Sequence, residues 1–182
     1  MKMLPFRLIG SLWIGSFTAV LAADTNSSQA TIGIYDSRAV AYAYFWSVPC
    51  QKQQREKVAA AQAARKAGDI VKLKECDTAF SASQADLHRM MFSTAPATAA
   101  MEALKDRVPA IQKQAGVSVL ISKWDEKGLA KFPDTARVDV TDKLVREFIQ
   151  PDEKQSRMIL SIEKSEPLPL EKCDELIRKG EI

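Results

Sequence analysis

The sequence predicts an α+β protein: a small β-sheet body, an antiparallel helical hairpin projecting from it, and a C-terminal helical extension. Three observations predict this. Two short β-type runs, Ile32–Tyr35 and residues 117–121, bracket a long stretch of helical periodicity. Gly68 and Asp69 break that stretch, so one helix leaves the body and another returns. After Pro151 the chain becomes charged and proline-interrupted, with one helical run near its end. Strands this short do not fold alone, so the two β runs are expected to meet in one sheet.

The elements follow in order. Residues 1–22 read as a secretory signal: Lys2 and Arg7 precede an apolar, uncharged run, and Val20-Leu21-Ala22 suits cleavage after Ala22, with Ala23 as the alternative. The apolar run, residues 8–21, falls short of the about 20 residues of a membrane-spanning helix. Residues 23–30 are polar and read as a flexible N-terminus. Ile32–Tyr35 is the first strand, and Ser37 is placed to cap a helix starting at Arg38. Tyr42, Tyr44, Phe45 and Trp46 give the densest aromatic run, ambiguous between helix and strand and suited to core or subunit-interface packing.

Pro49 interrupts that run, and Ser47 can cap a fresh helix. Residues 51–67 are helical, with Val58 and many alanines. Alanine favours helix but offers little packing surface. The returning helix carries Leu73, Cys76, Phe80, Leu87 and Met91 on one stripe. The pattern breaks at Ser93-Thr94-Ala95-Pro96. It resumes with Met101, Leu104, Val108, Ile111 and Ala115, where Pro109 implies a kink or a short helix, and Gly116 ends it. Residues 117–121 form a second strand. Asp125-Glu126-Lys127-Gly128 reads as a turn, and residues 129–132 as a third strand completing a β-hairpin. Thr141 is the expected cap of a helix over residues 142–149, stopped by Pro151. Leu170–Lys179 is the last helix, ended by Gly180.

Composition narrows the function. The chain has 26 Lys+Arg against 23 Asp+Glu; losing Lys2 and Arg7 with the signal lowers the net charge from +3 to +1. That is too little for bulk nucleic-acid binding. Cys50, Cys76 and Cys173 leave an odd thiol, and either one disulfide or three free thiols fits an exported chain. The single histidine, His88, lies about 18 Å along the helix from Cys76, too far for a Cys–His pair. Neither a metal-ligand pattern nor a cofactor loop is present in the sequence, so no enzyme, metal or cofactor is expected.

The order of elements resembles the Skp/OmpH family of periplasmic chaperones. Ile32-Gly33-Ile34-Tyr35-Asp36-Ser37-Arg38-Ala39-Val40 is similar to the opening strand and helix start of that family. Val117-Ser118-Val119-Leu120-Ile121, through Val138-Asp139-Val140-Thr141-Asp142-Lys143-Leu144-Val145, is similar to its closing segment. The resemblance covers about residues 31–148. It implies a periplasmic homotrimer whose helical arms hold unfolded outer-membrane proteins without ATP. Here the arm, about residues 38–115, turns early and is asymmetric, and residues 151–182 have no counterpart in the family.

Two groups of residues carry the functional expectation. Phe80, Met90, Met91 and Phe92 are candidate client-binding residues, because flexible methionine and scattered aromatics suit a surface that accepts many sequences. Packing against the other half of the hairpin is the alternative. Arg65, Lys66, Lys72 and Lys74 form a basic tip that can meet a membrane surface or acidic client loops. The interleaved Asp69, Glu75 and Asp77 equally suit a solvated helix end. The leading function is an ATP-independent holdase. The alternative is an oligomeric envelope adaptor that docks one specific partner.

Overall fold

The computed structural model describes residues 31–182. The expected signal peptide and the polar segment 23–30 lie outside the described residues. The fold mixes α and β structure around a small three-stranded sheet. β1 (Ile32–Tyr35) is the middle strand, flanked by β2 (Leu120–Ser122) and β3 (Arg137–Asp139), and both pairings are parallel. Gly33 sits opposite Leu120 on one side and Val138 on the other. A Cβ at Gly33 would lie 2.6 Å from the Leu120 side chain and 3.1 Å from Val117, so close packing selects glycine.

The expected β-hairpin is not formed. Residues 129–132 do not make a strand; Asp125 caps a helical turn, α6 (Glu126–Leu129), its carboxylate accepting from Gly128 N. Phe132 N then bonds Leu129 O, continuing the coil of the chain. The third strand comes later, at Arg137–Asp139. Parallel pairing explains the delay, since the chain leaving β2 has to cross β1 before it can run alongside it in the same direction.

The first crossover, from β1 to β2, contains five helices: α1 (Ser37–Trp46), α2 (Val48–Ala67), α3 (Ile70–Phe92), α4 (Thr98–Ala103) and α5 (Val108–Ala115). The aromatic run therefore resolves as helix, with Tyr44 edge-on to Phe148 at 5.6 Å and Tyr42 edge-on to Trp46 at 4.7 Å. Ser47 caps α2 and Pro49 lies in its first turn. Gly68 closes α2 in the left-handed conformation, and Asp69 caps α3 by accepting from Lys72 N. Pro109 starts α5 rather than kinking a longer helix. Leu104 and Ile111 face the main core beside Val40, Ala100, Val140 and Leu144.

Two cap assignments shift by a residue or so. Asp36, not Ser37, caps α1 by accepting from Arg38 N, while the Ser37 hydroxyl donates to Ala95 O at 3.1 Å. Thr141 is the first residue of α7 (Thr141–Phe148) rather than its cap; its hydroxyl accepts from Asp36 N at 3.0 Å, stitching β1 to α7. Thr141 N is taken instead by Asp139 Oδ1.

The extension holds one helix more than the sequence reading found. α8 (Glu153–Lys164) opens with a capping box between Asp152 and Gln155, and α9 (Leu170–Lys179) ends at Gly180. α8 packs on α1, with Ile159 against Ala39, Ala43 and Val145. α9 packs on α3 and buries Cys173. Between them Leu168 forms a lone parallel bridge with Ser93: Leu168 N donates to Phe92 O, and Thr94 N to Leu168 O.

Candidate functional site

α2 and α3 pack on each other and meet the body at α1, yet they bury little. Only Cys50 and Ala64 are buried in α2, and only Met90 and Met91 in α3. The reason is compositional: toward its far end α2 covers little with large side chains, its least exposed residues there being Ala61 and Ala64, and most of its remaining positions are polar or charged and exposed.

At the base of the pair lies a groove of about 370 Å³. α3 contributes Phe80, Gln84, Leu87, His88, Met91 and Phe92, which fall at i, i+4, i+7, i+8, i+11 and i+12 and so share one face. α2 contributes Gln51, Gln54 and Val58, and α1 contributes Phe45. The lining is mainly apolar, with carboxamides between. His88 lies against Phe92, ring centroids 5.5 Å apart, and Gln51 is held by donating to Phe45 O at 2.8 Å. Such a lining can enclose an apolar side chain while an amide of Gln54 or Gln84 bonds the neighbouring main chain.

The four expected client-binding residues divide. Phe80 and Phe92 are 41% and 38% exposed and flank the groove; Met91 is buried but lines it. Met90 is not part of this site: it points into the main core beside Tyr35, Val40 and Leu104. Sequence reasoning missed Phe45, Val58, His88 and the three glutamines. The spacing 80, 84, 87, 88, 91 was visible, but polar residues on an apolar stripe do not announce a groove.

At the far end of the pair Arg65, Lys66, Lys72 and Lys74 are all exposed around Gly68. Lys72 pairs with Glu75 at 3.0 Å, a hydrogen bond that raises its pKa. Ile70 and Val71, which the sequence reading did not single out, stand beside them 75% and 71% exposed.

The carboxyl ends of the strands hold the densest polar cluster. Asp36 and Arg38 form a buried ion pair at 3.0 Å, and Trp124 Nε1 donates to Asp36 at 3.3 Å. Arg38 also donates to Ile162 O at 2.8 Å and Ser165 O at 2.9 Å, closing the C-terminal end of α8, and its guanidinium lies 4.9 Å from the Trp124 ring centre. With so many partners on both side chains, the cluster acts as a fastening for α8. Beside it Lys123 pairs with Asp139 at 2.7 Å. Burial works against the Asp139 carboxylate, but bonds from Lys123 and Thr141 outweigh it and hold its pKa below the usual value. Glu163 is pushed up, first by burial and then by the carboxylates of Asp139, Asp36 and Asp142, with Lys123 opposing.

All three cysteines are free thiols, and burial raises the pKa of Cys50 and Cys173, which disfavours the reactive thiolate. Among the described residues no group of His, Cys, Asp and Glu could hold a metal ion, and no helix is long and apolar enough to cross a membrane. Comparison with protein families, curated proteins and solved structures finds no match.

Proposed function

We propose that this protein is an exported, periplasmic, ATP-independent holdase of the Skp/OmpH type, and that α2 and α3 are its projecting antiparallel arm. The observation that carries the reading is the uncovered apolar groove at the base of the helix pair, flanked by exposed Phe80 and Phe92. An unfolded envelope or outer-membrane protein places an apolar side chain in the groove, and the carboxamides engage its backbone. Each contact is weak. Arms of a homotrimer, acting on one client, supply avidity without new chemistry. Shielding requires neither a nucleotide nor a catalytic residue.

Light scattering of a β-barrel protein diluted from urea, with and without the purified protein, tests this reading. The holdase keeps the client soluble at near-stoichiometric ratios, and sedimentation velocity reports a trimer. A stable monomer that leaves aggregation unchanged contradicts it. A second reading, an oligomeric envelope adaptor, is favoured by the size of the groove, which admits one or two large side chains rather than a whole client. Affinity for one folded partner, with none for unrelated unfolded chains, supports the adaptor.

A further inference from the structure

We propose that the last turn of α8 is a pH-sensitive strap, docked across the carboxyl ends of the strands while Glu163 carries a proton and loosened when Glu163 ionises. The cations at this junction are already matched. Arg38 pairs with Asp36 at 3.0 Å, Lys123 with Asp139 at 2.7 Å and Arg146 with Asp142 at 2.7 Å. Glu163 is a fourth carboxylate, half-buried and without a hydrogen bond or ion pair among the described residues. It faces charged groups from every side: Asp36, paired with Arg38, at the junction of β1 and α1, Lys123 after β2, Asp139 in β3 and Asp142 in α7.

The same turn carries the attachment. Arg38 donates to Ile162 O at 2.8 Å and to Ser165 O at 2.9 Å, one on each side of Glu163. An ionised Glu163 therefore adds an unmatched negative charge to three carboxylates where Arg38 fastens the helix end, and a neutral Glu163 adds none. Burial first, and then the neighbouring carboxylates, raise the pKa of Glu163, so ionisation works against docking and the loosening grows as pH rises above the ordinary carboxylate range. The strap has natural bounds. Ile159 holds α8 against Ala39, Ala43 and Val145, and Pro167 lies just beyond the last turn, so the loosening is confined to residues 160–165. Ile162 and Ser165 also line a groove of about 360 Å³ with Met91, Phe92 and Leu168. The surface beside the helix pair therefore changes with the strap, whatever that surface binds.

Hydrogen–deuterium exchange of the full chain tests this, measured from about pH 4 to pH 8 with the intrinsic exchange rates divided out. The expected result is a loss of protection in residues 160–165 as pH rises above the ordinary carboxylate range, with α9 unchanged. Glu163→Gln, neutral at every pH, keeps the protection throughout that rise. Two neighbours move the midpoint in opposite directions. Asp139→Asn removes a facing carboxylate and releases Lys123, so the midpoint falls; Lys123→Met removes the nearby cation, so it rises. Circular dichroism establishes that each variant is folded. A parent whose protection does not fall over this rise in pH overturns the proposal. So does the same response in Glu163→Gln, or a midpoint that neither neighbour moves.

Discussion

The helix pair and the C-terminal extension show opposite relations between sequence and anchoring. α2 and α3 have the strongest helical composition in the chain, with consecutive alanines and well-placed caps, yet they bury few of their residues. α8 and α9 are short, charged and separated by prolines, yet they are fastened by a buried arginine, a main-chain bridge at Leu168 and a fully buried Cys173. Helix propensity decides local conformation and says little about tertiary attachment. What the pair leaves uncovered is therefore free for binding, and what the extension carries is largely committed to holding the fold.

The largest expected effect breaks the attached region. Arg38→Ala strands the buried Asp36 carboxylate and frees the end of α8, a loss of about 3–5 kcal/mol for a broken buried pair. Urea unfolding should register that loss, and limited proteolysis should cut first between α7 and α9. In the main core Leu144→Ala, at a fully buried site, should cost about 2–5 kcal/mol by the same denaturant measurement.

The helix pair should behave in the opposite way. Phe80→Ser and Phe92→Ser remove side chains already substantially in water, so each should change stability by under about 1 kcal/mol. Each should nevertheless weaken affinity for an unfolded client about fivefold, the share expected from part of a phenylalanine surface. Fluorescence anisotropy of a labelled, denatured β-barrel fragment measures it. Equal losses of stability and affinity would erase the contrast between the regions.

The turn and the extension offer smaller probes. Gly68→Ala places a Cβ on a left-handed residue and should destabilise by about 1 kcal/mol. Its effect should be confined to hydrogen exchange in α2 and α3. At Glu163 the sign follows from the raised folded pKa. The unfolded chain gives up this proton first, so ionisation penalises the native state and the penalty grows as pH rises through the carboxylate range. Glu163→Gln should therefore be slightly more stable than the parent at neutral pH, with the gain gone in acid. Asp139, held low, works in the other sense: its contribution is present above the carboxylate range and is lost as pH falls through its folded pKa. Thermal unfolding of Glu163→Gln and the parent across pH separates the two.

Much of this arrangement was legible where punctuation is local. Ser47 with Pro49, Gly68 with Asp69, Pro109, Gly116 and Gly180 all mark helix ends, because caps and positive φ depend on the residue itself. The alternating seam through Leu104 and Ile111 located core residues for the same reason. β3 was illegible: three exposed residues, Arg137, Val138 and Asp139, show no alternation, and their pairing is decided by β1 across the chain. α8 is marked in the sequence by the Asp152–Gln155 capping spacing, beneath a charged face that masks its periodicity. The groove was half legible, since the stripe gave Phe80, Leu87 and Met91, while Phe45, Gln51, Gln54 and Val58 are brought beside them only by the packing of α1 and α2.

A holdase of this kind must hold an unfolded chain at the base of the helix pair. Hydrogen–deuterium exchange of the protein, alone and with a urea-diluted β-barrel client, tests this directly. It should show new protection over residues 51–58 and 80–92, with α8 and α9 unchanged. Protection confined to α8 and α9, or none in the presence of a client that stays soluble, would contradict it.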